Sequence, residues 1–234
     1  MSSAPIQNSA VLLDIEGTTT PIAFVHQVLF PYAAQAIEGF LRAQGDDPAV
    51  MAACQQILAD ATDKERQAAP QQAVLAVVRR QMAADVKATG LKALQGLIWR
   101  DGFERGALQG QVFADVPDAM GRFADAGRPV AIYSSGSRLA QQLLFRYSSA
   151  GDLSSFLSGY FDTQVGPKRE AESYRRIAAA WGQSPSRITF CSDIPAECSA
   201  AVEAGLHAVL ILRPGNPPLP PSLPFPVHAD LRLI

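Results

Sequence analysis

The chain has 234 residues, 48% of them hydrophobic and 18% charged, which is the composition of a globular protein and excludes global disorder and fibrous repeats. Its 20 basic and 22 acidic residues leave a net charge of -2, with no excess of either sign to recruit nucleic acid or an anionic membrane surface. The length exceeds the common size of one compact domain, so one domain carrying an insertion, or two domains, is expected.

The N-terminal stretch has no basic segment ahead of an apolar core of signal-peptide length, and no run approaches the roughly 18 apolar residues of a membrane span. Three cysteines, Cys54, Cys191 and Cys198, are too few and too unevenly spaced for a disulfide framework or a zinc knuckle. A cytoplasmic protein without a membrane partner is expected. The first element is a buried strand, Ala10 to Leu13, which ends abruptly at Asp14 and runs into a loop with Gly17 and three threonines. From Phe24 to about Leu108 the spacing is helical throughout, with amphipathic segments such as Ala49 to Ala59 and Ala73 to Met82. Beyond Phe113 the pattern alternates. Pro117 to Ala126 reads as a helix, Pro129 to Tyr133 as a strand meeting Ser134, Ser137 to Tyr147 and Glu170 to Trp181 as helices, and Ile188 to Cys191 and His207 to Leu212 as strands. Pro214 to Pro226 holds seven prolines and is expected to be an irregular strap. No internal repeat is visible. Alternating strands and helices imply an α/β fold, a doubly wound, mostly parallel sheet covered on both faces, with an all-helical insertion.

Asp14, Ser134 and Asp193 each follow an apolar strand directly, and ligands of open parallel sheets bind beyond the carboxyl ends of the strands. Asp14 and Glu16 place two carboxylates on one loop, where one is suited to attack phosphorus and the other to protonate a departing oxygen and later to activate water. An acidic turn capping a helix is the plain structural alternative. Ser134, Ser135 and Ser137 with Gly136 offer hydroxyls and backbone N–H groups beside the positive end of a helix, which suits an anion, although serine-glycine turns are also ordinary caps. Lys168 reads as lying at the start of a helix, where a lysine is electrostatically misplaced unless it serves another group. Asp193, with Glu197 four residues on, would repel Asp14 unless a hard divalent cation stood between them, and magnesium fits oxygen donors of this kind. His26, His207 and His228 are scattered, which argues against zinc.

Asp-x-Glu-Gly-Thr-Thr, then strand-Ser, then Lys, then strand-Asp resembles, in that order, the four motifs of the haloacid-dehalogenase-like hydrolase superfamily. The resemblance implies that Asp14 is the nucleophile, Ser134 and Ser135 bind the phosphoryl group, Lys168 steadies both, and Asp14, Asp193 and the Glu16 position hold one magnesium ion per subunit. It also implies a catalytic core of residues 1–20 and 113–234, and a helical cap, residues 21–112, that closes over the substrate. Most phosphatases of that superfamily have Asp where this chain has Glu16. Together with Pro21 to Tyr32, Lys87 to Trp99 and Tyr133 to Ser137, this departure resembles the enolase-phosphatase family of methionine salvage. The implied reaction enolises 2,3-diketo-5-methylthiopentyl-1-phosphate and then releases phosphate, with Glu16 as general acid and base. The implied partner is a small-molecule phosphate, with no nucleic acid. A monomer is expected, because no coiled-coil heptads are present. Glu16, His26, Lys87 and Lys92 stand as candidates for the enolisation base, and Phe24, Phe30 and Trp99 for a pocket around the methylthio tail, with core packing the alternative. A phosphatase acting on another small phosphate, a dehalogenase, and a regulatory module without turnover are the competing readings.

Overall fold

The computed structural model describes residues 10–220 and 222–234, and divides into two compact units, residues 10–25 with Gln109–Ile234, and His26–Leu108. In chain order, β1 (Ala10–Leu13) is followed by the short α1 (Ile22–Phe24), which runs on through a π-helical turn, Val25–Leu29. The helical block comprises α2 (Phe30–Gln44), α3 (Pro48–Ala59), α4 (Asp63–Arg66), α5 (Pro70–Ala83) and α6 (Thr89–Glu104). The remainder is α7 (Val116–Asp125), β2 (Val130–Tyr133), α8 (Arg138–Arg146), β3 (Leu157–Phe161), α9 (Ala171–Trp181), β4 (Ile188–Ser192), α10 (Pro195–Glu203), β5 (His207–Ile211) and β6 (Val227–His228).

Among the described residues the strands form one sheet in the order β3-β2-β1-β4-β5-β6, every neighbouring pair parallel. β1, β2 and β4 are buried along their whole length, as expected of parallel strands covered on both faces. Alternate residues of these strands share a face. Ala10, Leu12, Ala131, Tyr133, Ile188 and Phe190 join one core cluster with Tyr174 and Ile177 of α9 and Cys198 and Ala201 of α10. Val130 and Ile132 point the other way, where α7 packs against β2 with buried Val116, Met120 and Phe123. Chain order runs outward in both directions from β1 and β4, so the switch point of this doubly wound sheet lies where those two strands meet.

In the helical unit, Asp47 caps α3 by accepting from the N–H groups of Ala49 and Val50, with Pro48 at the first helical position. Thr62 and Glu65 form a reciprocal capping box on α4. α6 packs on α2 and α3, and a Cβ on its Gly90 would stand 2.7 Å from the Ile57 nitrogen, so only glycine permits this approach. Phe24 and Trp99 are both buried, and the Trp99 indole donates to the Leu29 carbonyl at 2.9 Å, which favours a packing role for Trp99.

Four features of the structure differ from the sequence expectation or go beyond it. Lys168 lies in a turn and not at a helix start, because α9 begins only at Ala171 with Glu170 as its cap. β3 and α10 were not anticipated, and β6 follows directly on the irregular proline-rich strap.

A buried ion pair fastens the C-terminal segment to the sheet. Arg213, after β5, binds Asp115 through two hydrogen bonds of 2.7 and 3.0 Å, and Asp115 also accepts from the Leu231 N–H at 2.8 Å. Burial opposes ionisation of Asp115, but the Arg213 guanidinium and the Leu231 N–H outweigh it and hold the carboxyl below its usual value. Asp115→Ala would strand a buried guanidinium. The expected loss of stability is about 3–5 kcal/mol in urea unfolding; a loss below about 1 kcal/mol, the level of a surface pair, would show that the pair is screened.

Candidate active site

The register brings the strand-end residues to one edge of the sheet. Leu13 is level with Ile132 on one side and Cys191 on the other, so Asp14, Ser134 and Asp193 emerge from adjacent strands. Neighbouring strands stand about 4.8 Å apart. The Asp14 N–H donates to the Cys191 carbonyl at 2.9 Å, which holds the first residue of the loop to β4.

The loop after Asp14 is wound tightly on itself. The N–H groups of Thr18, Thr19 and Thr20 converge on the Ile15 carbonyl, and the Thr19 hydroxyl donates to the Asp14 carbonyl at 3.0 Å. Gly17 sits at a φ of +68°, and a Cβ there would overlap the Asp193 carboxylate. The glycine therefore does two things: it allows the left-handed turn, and it lets the Asp193 carboxylate press against the backbone of the loop that follows Asp14. Glu16 is half-buried on this loop.

Lys168 reaches Asp14. Its ammonium lies 2.6 Å from Asp14 Oδ1 and 2.7 Å from Glu197 Oε2, with only a tenth of the side chain exposed. Burial would push its pKa down, but the two carboxylates outweigh that and raise it above the ordinary lysine value. The turn that carries Lys168 is held at three successive carbonyls: Tyr133 donates to that of Gly166 at 2.9 Å, Ser173 to that of Pro167 at 2.7 Å, and Tyr174 to that of Lys168 at 2.7 Å. A flexible side chain is thereby mounted on a fixed base.

Oδ1 of Asp14 also accepts from the Ile15 N–H at 2.7 Å, so both of its lone-pair directions are occupied. Oδ2 lies 3.1 Å from the Ser192 hydroxyl, which stands 2.9 Å from Glu197 Oε2 and has one proton for the two. Oδ2 is accordingly the less encumbered oxygen.

Ser134 and Ser135 occupy the turn between β2 and α8. The Ser134 N–H donates to the Phe161 carbonyl at 3.1 Å, its hydroxyl accepts from Gly136 at 3.2 Å, and Ser137 caps α8. The buried Gln141 donates to the carbonyls of Gly136 at 2.9 Å and Phe161 at 2.8 Å, tying this turn to the end of β3. The hydroxyls and free N–H groups at the start of α8 suit phosphate oxygens.

Burial, followed by the carboxylates of Asp14 and Glu197, pushes the Asp193 pKa up to about 7. Burial and Asp14 likewise raise that of Glu197. Among the described residues no three His, Cys, Asp or Glu side chains converge as a ready-made metal cluster. Two buried carboxylates whose mutual repulsion a cation relieves, beside a backbone cradle at Gly17, fit magnesium, which takes one or two carboxylates and keeps several waters.

Of the residues expected from sequence, Asp14 and Lys168 are in contact, and Asp193 packs against the Asp14 loop. Among the candidate bases, His26 stands edge-on to Phe30 at 5.7 Å in the helical unit, Lys87 is exposed, and Lys92 lies half-buried on α6. Glu197 and Ser192 carry more of the cluster than the sequence reading gave them. The signal for Glu197 was its place one helical turn beyond Asp193, just after the helix-opening Pro195.

Residues 9–205 match the family model described as haloacid dehalogenase-like hydrolase. Enolase-phosphatase E1 of Synechococcus elongatus is 51% identical over 91% of this chain and 92% of its own length. The Granulibacter bethesdensis protein of the same name is 49% identical over 94% and 92%. The crystal structure of UTR4 protein from Saccharomyces cerevisiae superposes with a TM-score of 0.82 at 35% identity, covering 97% of this chain and all of that one. A solved dehalogenase shares the fold, with a TM-score of 0.56 at 16% identity. With Asp14, Lys168 and the other strand-end acids set on this sheet, and with half its positions identical to such relatives, the chain belongs to the haloacid dehalogenase-like hydrolases and, among them, to the enolase-phosphatases.

Proposed function

We infer that the protein is a bifunctional enolase-phosphatase of methionine salvage. It enolises 2,3-diketo-5-methylthiopentyl-1-phosphate and then removes the phosphate, giving the acireductone 1,2-dihydroxy-3-keto-5-methylthiopentene. The observation that carries the chemistry is the buried Asp14 carboxylate at a strand end, with the Lys168 ammonium 2.6 Å away.

In the phosphatase step the Asp14 carboxylate attacks phosphorus in line, forming an O–P bond as the bond to the enol oxygen breaks. Lys168 and the Ile15 N–H hold Oδ1 and so fix the carboxylate plane. Ser134, Ser135 and the N–H groups beginning α8 take the phosphate oxygens, while Lys168 offsets their charge. Glu16 gives a proton to the departing enol oxygen and then removes one from the water that hydrolyses the aspartyl-phosphate, releasing inorganic phosphate and restoring Asp14.

One magnesium ion per subunit would be held by Asp14, Asp193 and the Glu16 position, through the Glu16 side chain or its backbone carbonyl. When bound, it supplies positive charge that offsets the phosphate and acidifies a C–H beside a carbonyl, which serves both reactions. We propose that the helical unit, expected from sequence at 21–112 and compact over His26–Leu108, is an inserted cap that carries substrate choice, and that the unit expected at 1–20 and 113–234 is the catalytic core. The protein is proposed to work in the cytoplasm as a monomer on a small-molecule phosphate.

Removing divalent metal tests the magnesium reading. Dialysis against EDTA is expected to stop phosphate release from the diketo phosphate, and added magnesium to restore it. Release that continues undiminished in EDTA would contradict the metal assignment.

A further inference from the structure

The loop after β5 holds the nucleophile loop from behind. Arg213 Nε donates to the Thr18 carbonyl at 3.0 Å, and Asn216 Nδ2 donates to the Gly17 carbonyl at 2.9 Å, so two successive carbonyls of the loop that follows Asp14 are fixed by one short turn. The turn is itself closed, with the Asn216 N–H on the Arg213 carbonyl at 3.1 Å and Gly215 at a φ of +92°.

Asn216 has a second feature that packing leaves unexplained. Its amide also donates to the Ile211 carbonyl at 3.3 Å, so both protons are committed to carbonyl oxygens and the amide cannot be turned over without setting oxygen against oxygen. Oδ1 is therefore fixed in direction, and it is buried with no hydrogen-bond partner among the described residues. It lies 3.0 Å from the point that a Cβ on Gly17 would occupy, the same point that the Asp193 carboxylate overlaps. Asn216 Oδ1 and Asp193 Oδ2 converge on one small space, and when Asp193 is ionised neither brings a proton to it. A buried acceptor left in this way costs stability unless a donor enters. A water held by a divalent cation is such a donor, because the ion's charge strengthens its O–H groups as hydrogen-bond donors.

We propose that Asn216 is a positioning residue of the magnesium site: its amide pins the Gly17 carbonyl, and its oxygen accepts from a cation-bound water beside Asp193. This rests on the magnesium reading above. It extends that reading to a residue that contacts neither substrate nor, directly, the metal, and that comes from the proline-rich strap and not from the superfamily motifs.

The test is Asn216→Ala in the full chain, titrated calorimetrically with magnesium alone, with thermal melting in EDTA measured beside it. The expected result is magnesium binding weakened about tenfold or more, the scale seen when groups that orient metal ligands are removed. The EDTA melting temperature is expected to fall only slightly, by what the amide's two hydrogen bonds to the Gly17 and Ile211 carbonyls contribute. In the turnover assay, the magnesium concentration giving half-maximal rate should rise by the same factor, and excess magnesium should recover most of the lost turnover. Unchanged magnesium affinity in the variant would overturn the proposal. So would a lowered melting temperature in EDTA with turnover that excess magnesium does not restore, since that is the signature of a purely structural residue. Wild-type protein that binds no magnesium would instead overturn the metal reading itself, and with it this extension.

Discussion

Asp14→Asn is expected to stop phosphate release while the enol still forms. The substitution keeps the shape of the side chain. Its oxygen can continue to accept from Lys168 and the Ile15 N–H, and its amide can face the Ser192 hydroxyl as a donor, so the loop and the fold should persist. What is lost is the carboxylate lone pair that attacks phosphorus, and a neutral amide does not replace it. Phosphate release should fall by at least about 10^3-fold, in line with losses on removing an enzyme nucleophile. At saturating magnesium the enol should accumulate, because proton removal from carbon makes no demand on Asp14 as a nucleophile. Continuous recording of enol absorbance and free phosphate checks both halves; phosphate released at the wild-type rate would take Asp14 out of the nucleophile role.

Lys168→Met is expected to have the next largest effect, on activity and stability together. Methionine approximates the length of the side chain and removes the charge that stands between Asp14 and Glu197. Phosphate release should fall on the order of 10^2–10^3-fold, the scale of removing one preorganised stabilising group. The fold should lose about 3–5 kcal/mol near neutral pH in EDTA, because two buried carboxylates are left facing each other. The pH dependence has a definite sign. In wild type the folded pKa of Lys168 is raised, so its contribution is fully present below the ordinary value of 10.5 and is lost only as pH rises through the still higher folded value. In the variant the strain comes from ionised carboxylates, and Glu197 already binds its proton more tightly than usual. The stability gap between wild type and variant should therefore be larger at pH 8 than at pH 5. Urea unfolding at both values would show it, and a gap independent of pH would mean that Lys168 does not act by charge.

The parts of the site that could be read from sequence are those where a local signal coincides with a tertiary one. Asp14, Ser134 and Asp193 end apolar strands, and in a parallel sheet every strand end of that kind meets the others on one edge, so a one-dimensional pattern foretold a three-dimensional meeting. The helical block was equally plain from its period. Elements without a local signal were missed for physical reasons. β3 is an edge strand, half-exposed and broken by Ser158 and Gly159, so it lacks the apolar run that marks its neighbours. α10 opens with a proline and is rich in small residues, which leaves little amphipathic contrast. Lys168 reads as lying at the start of a helix, yet Glu170 adopts an extended conformation and α9 begins only at Ala171. Ser192 and Glu197 act through partners on other strands and turns, and Asn216 reaches a carbonyl 199 residues away, so their roles follow from contacts that no spacing encodes.

The claim at the centre of this account is that one site performs enolisation and then phosphoryl transfer on the same molecule. The most direct test is a single time course of the wild-type protein with magnesium and 2,3-diketo-5-methylthiopentyl-1-phosphate, following the ultraviolet absorbance of the enol and free phosphate together. Both signals are expected, with the enol appearing first and phosphate following after a lag. Phosphate released without any enol, or released only from unrelated phosphate esters, would contradict it and leave a phosphatase with this fold and a different substrate.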